Sequence, residues 1–300
     1  MKLDDSAQLE QRRAFARTCF LRACELDVAV RKPGNVSAIS PGHGMQAGQF
    51  LASARAAVEP LFEARARVGP RIESAVAATW VVVHCNTNLG IVLLCAPIAA
   101  AIEDPGALGS AASLRSALES VLADLDLEDT RCTYRAIAQA RPAGLGRVAA
   151  EDVHTPPRLA LRGAMALAAQ RDSIARQYAS GFEDIFKLGF PLLYPGFSLT
   201  AQGPDAAPSD AAVARVQQVY LSFLSHLHDS HIVRKHGAAA AHTVMSAAQD
   251  WVRRAAPNTD PAFAAWDEAL KAQDINPGTS ADLCVATMLL AGLLGGPGAE

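Results

Sequence analysis

The stretch PRIESAVAATWVVVHCNTNLGIVLLCAPIAAAIE, residues 70–103, decides the fold class. It holds the two most apolar windows of the chain, 76–83 and 90–101, separated by His84, Asn86 and Asn88. Pro97 interrupts the second window, and both fall short of the ~20 apolar residues that a membrane span requires. Apolar residues recur three and four positions apart, the period of a helix with a buried face. Both windows therefore read as buried helices of a globular protein. The run Val81-Val82-Val83 also suits a short strand, but it lies inside the helical spacing.

The same Ala/Leu-rich pattern extends outward in both directions, punctuated by Gly, Pro and Asn, and nowhere do β-branched residues alternate cleanly with polar ones. The spacing predicts helices over 8–30, 48–66, 70–85, 89–103, 110–124, 130–140, 158–187, 209–228, 237–255, 261–272 and 280–294. Ser209 and Thr259-Asp260-Pro261 supply helix-start chemistry, and Thr155-Pro156-Pro157 is read in the same way before 158–187. Four stretches do not read as helix: 31–45, 141–157, 188–208 and 274–280. The expectation is a single compact all-α domain over 1–300 with a central polar ligand cavity, residues 188–208 being the best candidate for an internal linker.

At 300 residues and 31.5 kDa the chain can bury a large core. Half of it is hydrophobic and 19% charged, a globular rather than disordered composition. The 27 cationic and 30 acidic side chains leave a formal charge of −3. No global basic field is present, which argues against nucleic acid or a membrane surface as partner. A polyanionic ligand must then be held by a local site. Six cysteines without a CxxC pair read as reduced core residues, and the acidic, polar start MKLDDSAQLEQRR does not resemble a signal peptide. A cytoplasmic protein is expected, and alanine-rich helical proteins with apolar faces this extensive often form homodimers.

Four segments combine glycine with chemistry-bearing side chains. Arg31-Lys32-Pro33-Gly34-Asn35 follows the first helix, and its cations and amides suit a phosphate as well as a plain helix stop. Asn86-Thr87-Asn88-Leu89-Gly90 puts small polar groups between two apolar helices, either as an internal cap or as a ligand-facing wall. The segment from Asp229 to Gly237 gathers a carboxylate, two cations and two histidines. A zinc set drawn from His226, His228, His231 and His236 is conceivable there, without the supporting HExxH or cysteine pair. Asp274-Ile275-Asn276-Pro277-Gly278-Thr279-Ser280-Ala281-Asp282 runs through a turn into a helix N-terminus, which offers amides to an anion or a carboxylate to its metal ion. Asp172 and Arg176, four apart, suggest an exposed ion pair. No P-loop, dinucleotide fingerprint or GxSxG is present.

As an ordered series from about residue 25 to residue 294, these segments resemble the triphosphoribosyl-dephospho-coenzyme A synthase family. Glu25, the turn Lys32-Pro33-Gly34, the segment His43 to Met45, Phe50 and Ser53 follow the family order. Asn86-Thr87-Asn88-Leu89-Gly90 matches its N-T-H-K-G in part. Asp229 to Gly237 matches a segment that opens on Asp-Thr and ends on Gly, with Arg234 as its arginine. Residues 276–283, NPGTSADL, match S-P-G-G-S-A-D-L. Asn88 and Leu89 stand where the family has His and Lys, and the block RDSIARQYASGFEDIF departs from the family form. The chain is similar to a divergent subgroup of homologues found near one-carbon cofactor genes.

The resemblance implies an all-α enzyme that moves the 5-triphosphoribosyl group of ATP to a hydroxyl of dephospho-coenzyme A or a related phosphorylated cofactor precursor, releasing adenine and requiring Mg²⁺. It further implies Glu25, Asp229 and Asp282 as catalytic carboxylates and Mg²⁺ ligands. Lys32 and Arg234 would hold phosphates, while Gly34, Asn35, Asn86, Thr87, Asn88, Asn276, Gly278 and Ser280 would complete the substrate site. Glycosyl transfer through an oxocarbenium-like transition state needs such a base and such cations. The rival readings are a metal-dependent phosphohydrolase or kinase-like helical enzyme, and a nucleotide-binding helical protein without turnover.

Overall fold

The computed structural model describes residues 2–148, 150–199, 207–254 and 256–295. The chain runs through α1 (Lys2–Ala29), α2 (Ala47–Leu61), α3 (Val68–Val83), α4 (Leu89–Ala101), α5 (Ala111–Ala123), α6 (Leu127–Ala140), α7 (Leu161–Ala168), α8 (Ser173–Ser180), α9 (Phe190–Leu193), α10 (Asp210–His226), α11 (Ser230–His236), α12 (Ala238–Trp251), α13 (Pro261–Ala272) and α14 (Gly278–Leu294). Among the described residues there is no strand, only two isolated bridges in the turn after α1, so the all-α expectation holds. No described helix is long and apolar enough to cross a membrane.

Helices α4 and α14 form the centre, because each is apolar almost all round. Such a helix can be stable in water only when neighbours cover every face. Eleven of the thirteen α4 residues and fifteen of the seventeen α14 residues are buried. The two pack on each other; α1 and α10 cover α14, and α3 and α5 cover α4. Helix α3 is instead one-sided: Ile72, Ala75 and Val76 face the core, while Val81 and Val82 are exposed. The valine run is therefore helical, not a strand, and its end is surface rather than core.

The long helix expected over 158–187 is broken. Asp172 caps α8 by accepting from Ile174 N and Ala175 N, which ends the preceding turn. Gly181, at φ +67°, then terminates α8, and a π turn over Ile185–Gly189 follows. Capping chemistry at both positions outweighs the continuous apolar spacing. Thr155-Pro156-Pro157 does not open a helix, since α7 begins at Leu161 with no side-chain cap. Ser209 and Asp260 do cap α10 and α13. Of the candidate linker 188–208, residues 200–206 lie outside the described residues; Phe190, Leu193, Phe197 and Leu199 are buried in the core.

One carboxylate joins two helix starts. Asp229 Oδ1 accepts from His231 N (2.9 Å) and Ile232 N (3.1 Å) at the head of α11, and Oδ2 accepts from Ser280 N (2.7 Å) and Ser280 Oγ (2.9 Å) at the head of α14. Helix N-termini expose N–H groups that need acceptors, and a buried carboxylate can serve two of them at once. Asp229→Ala strands these donors in the interior and is expected to cost about 3–5 kcal/mol. Urea unfolding checks this: a midpoint equal to wild type would mean the two helix heads are held by something else.

Candidate active-site cavity

All four glycine-containing segments reach one cavity of about 460 Å³. Its polar end is lined by Asp27 and Asn35 from the end of α1 and its following turn, by Asn86, Thr87 and Asn88 ahead of α4, by His231 and Arg234 of α11, and by Asn276, Gly278, Thr279 and Asp282 around the head of α14. Leu145, Val148 and Val153 of the 141–157 segment, with Tyr134, Ile137 and Met165, supply an apolar wall, and Glu151, Asp152, Arg171 and Asp172 add charged groups to the lining.

Local chemistry explains the convergence. Asn35 Nδ2 donates to Asn276 Oδ1 at 2.9 Å, tying the first turn to the last. Gly34, at φ +80°, sits so close to the 274–278 turn that a Cβ would lie 2.7 Å from Pro277 Cδ. Its N–H donates to Asp267 Oδ1 (2.9 Å), and its carbonyl meets His43 Nε2 (2.7 Å). Asp267 also binds Arg31 and Lys271, so the turn is held by a buried anion. Ahead of α4, Thr87 Oγ1 pairs with Ser53 Oγ at 2.5 Å, Asn88 Nδ2 donates to Thr79 Oγ1, and Asn86 Oδ1 accepts from Leu89 N. Asn86, not Asn88, is thus the side-chain cap of α4.

Asp282 is the distinctive group. Its carboxylate faces the cavity and makes no hydrogen bond or ion pair among the described residues. Gly90, in the first turn of α4, makes its place, for any Cβ there would collide with Asp282 Oδ2. Burial, then the neighbouring charge of Asp27, pushes the Asp282 carboxyl well above its ordinary range. Asp27 is raised too, mainly by burial, with Lys32 opposing the rise. Lys32 Nζ lies 3.0 Å from Asp27 Oδ1, though not aligned as a hydrogen bond, and donates to the Asp27 carbonyl.

Of the residues expected from sequence, Asn35, Asn86, Thr87, Asn88, Arg234, Asn276, Gly278 and Asp282 line the cavity. Five do not. Glu25 points away and pairs with Arg22 at 2.8 Å, since residues two apart on a helix lie on nearly opposite faces; Asp27 takes the inward position. Lys32 is fully buried as the counter-ion of Asp27 and does not line the cavity. Gly34 shapes the turn from outside the lining. Asp229 and Ser280 spend their polar atoms on each other and on helix heads. Glu25, Asp229 and Asp282 consequently do not form a metal-binding trio, and no group of three or more His, Cys, Asp or Glu side chains suited to a metal is found among the described residues. The histidines disperse likewise: His226 bonds the Ser222 carbonyl, His228 meets His242, and His236 meets the Asp274 carbonyl.

Sequence reading missed Asp27, Arg171 and Asp172 as lining residues, and named His231 only as a conceivable zinc ligand. Asp172 does not pair with Arg176, which binds Asp184 instead. It holds Arg234 at 2.6 Å. His231 lies beside Gly278, where a Cβ would stand 2.9 Å from Nδ1. Burial, then the Arg234 and Lys235 charges, depresses the His231 imidazole to about 4. The helical period starting from Glu25 could have pointed to Asp27; nothing local marks the long-range pair Asp172–Arg234.

A family model spanning residues 13–299 matches the chain: CitG, ATP:dephospho-CoA triphosphoribosyl transferase. The chain belongs to this family. It is an ATP-dependent triphosphoribosyl transferase of the triphosphoribosyl-dephospho-CoA synthase type, and the family reaction joins the triphosphoribosyl group of ATP to dephospho-CoA. A crystal structure from Archaeoglobus fulgidus, whose protein carries the provisional name triphosphoribosyl-dephospho-CoA synthase, shares the fold. Its TM-score is 0.61 at 21% identity, covering 82% of this chain and 99% of that one. No curated protein matches.

Two outcomes follow from the buried ionisable groups. Lys32→Met leaves Asp27 buried without its counter-charge and is expected to cost about 3–5 kcal/mol in urea unfolding, whereas a surface phosphate ligand would cost almost nothing. His231 should remain neutral down to about pH 4. Its unfolded counterpart titrates near 6.5, so the unfolded chain takes up the proton first. Stability from this residue is complete above pH 6.5 and is lost as pH falls towards 4. A folded-state His231 resonance that titrates near 6.5 would overturn the effect of burial.

Proposed function

We propose that the cavity is the site of triphosphoribosyl transfer, with ATP at its polar end and the acceptor extending along the apolar wall. The observation that carries this is the Asp282 carboxylate, without a hydrogen-bond or ion-pair partner among the described residues, held against Gly90 at the head of α4 within reach of the Asp27 and Arg234 charges. A carboxylate raised by burial is a stronger base than one in water, and it is suited to take the proton of the attacking hydroxyl. The bond from C1 of the ATP ribose to adenine breaks, and a bond from that carbon to the acceptor oxygen forms. The hydroxyl proton passes to Asp282, and adenine takes up a proton as it departs. Asn35, Asn86 and Asn276 offer amides to the sugar and phosphates, and Arg234 a guanidinium.

The donor set suits a Mg²⁺ that arrives with the triphosphate, because Mg²⁺ is commonly held by one or two carboxylates together with substrate phosphates. Asp27 would be its protein ligand, with the Lys32 ammonium opposing the rise that burial imposes on that carboxylate. The ion supplies charge neutralisation of the phosphates. Confinement of the polar groups away from water strengthens each of these interactions.

Incubation with Mg²⁺, ATP and dephospho-CoA tests the reading: adenine should appear with the triphosphoribosylated acceptor. ADP or phosphate would mark the kinase or hydrolase reading, and binding without product a nucleotide-binding protein. Asp282→Asn should lower turnover by roughly 10²–10⁴-fold. It should not destabilise the ligand-free protein at neutral pH. A carboxyl raised on folding favours the native state only while protonated, so its contribution falls as pH rises from about 3.8 through the folded value, and an amide escapes this loss. An Asp282→Asn variant with full turnover would remove the base from the mechanism.

A further inference from the structure

One cationic residue of the cavity lining carries a charge without a described partner. Five carboxylates line it, from Asp27, Glu151, Asp152, Asp172 and Asp282, against two guanidiniums, from Arg171 and Arg234. Arg234 is already matched, with Nη1 2.6 Å from Asp172 Oδ2. Arg171 is exposed, lines the cavity, and makes no hydrogen bond or ion pair through its side chain among the described residues. It is thus the cavity-lining cation whose charge no described carboxylate offsets.

Its base is rigid. Arg171 N and Asp172 N donate to the Ala168 carbonyl at the end of α7. Asp172 caps α8 and clamps Arg234 of α11, and Ser173 N donates to Ser230 Oγ at 2.8 Å, fixing this turn against the head of α11. The two guanidiniums therefore stand on a shared support, one anchored and one free to move within the reach of its own side chain. A polyphosphate entering this acidic cavity gains most from a cation that surrenders no existing partner, because a paired one must first give up its carboxylate.

We infer that Arg171 is a substrate-binding residue that grips the phosphate chain of the nucleotide, with Arg234 held by Asp172 as its fixed counterpart. This rests on the transferase reading only for the identity of the nucleotide; the ligand class is a polyphosphate. Arg171 binds the phosphates and takes no part in proton transfer. Planar, bidentate contact explains why lysine should replace it only in part.

Calorimetric titration of the full chain with inorganic triphosphate, and separately with adenosine, both with Mg²⁺, tests the inference on wild type, Arg171→Ala and Arg171→Lys. The alanine variant should bind inorganic triphosphate roughly 10–100-fold more weakly, a charged hydrogen-bonded contact being lost. Lysine should recover part of the loss, adenosine affinity should be unchanged, and thermal unfolding should match wild type. Equal triphosphate affinity in wild type and Arg171→Ala, or no triphosphate binding by wild type, overturns it. An equal drop for adenosine and triphosphate also overturns it, since that marks a cavity deformed as a whole. The adenine-release assay fails or succeeds independently: adenine release with an indifferent Arg171 sinks this inference alone, and Arg171-dependent triphosphate binding without adenine sinks the transferase reading alone.

Discussion

The buried carboxylate of Asp229 is the constraint on which the site depends. It satisfies two N–H groups at the start of α11 and one at the start of α14, together with the Ser280 hydroxyl. These helices meet nearly head to head, so the two positive ends face the same region and would repel without an anion between them. Burial alone pushes the Asp229 carboxyl up, and the donors around it work in the opposite direction. The polar side chains the two helices deliver to the cavity, His231 and Arg234 from one and Thr279 and Asp282 from the other, inherit their position from this junction.

Acidic residues in this protein divide by what their oxygens already bind. Asp229 and Asp267 are saturated by backbone and cationic donors and act as internal struts. Asp172 is half spent on a helix cap and half on Arg234. Asp27 has a lysine at its side, and Asp282 has no hydrogen-bond or ion-pair partner among the described residues. A carboxylate left without a partner beside another carboxylate is unfavourable for the folded protein alone, and proteins tolerate such a cost where a ligand relieves it. That gradient separates structural from functional acids more sharply than residue type does.

The fold class was legible because it rests on local signals: helical spacing, Ser and Asp caps, and proline at first turns. The convergence of segments around 31–45, 86–90, 229–237 and 274–282 was legible as well, because glycine next to a small polar residue marks where another segment comes close to the backbone. Gly34 against Pro277 and Gly90 against Asp282 are such approaches. Illegible were the assignments that depend on tertiary partners. Lys32 and Asp229 carry the residue types of a phosphate and metal site, yet burial turns them inward. Glu25 and Asp27 cannot be told apart by composition, only by which helix face meets α14. The break at Asp172 was hidden because its apolar spacing continues through the cap.

The departures from the family pattern gain a physical meaning in this setting. Leu89 stands where the family carries lysine, and it is buried at the first turn of α4, one residue before Gly90, which the Asp282 carboxylate approaches. A lysine at that position could pair with Asp282 and hold its carboxyl down; leucine leaves it unpaired and raised. The same replacement takes a cation away from the polar end of the cavity. The positive charge that remains among the lining residues lies on Arg171 and Arg234, in and beside the block that departs from the family form. Charge removed from the start of α4 and retained on the turn before α8 and on α11 alters which groups are free to meet a phosphate chain near Asp282.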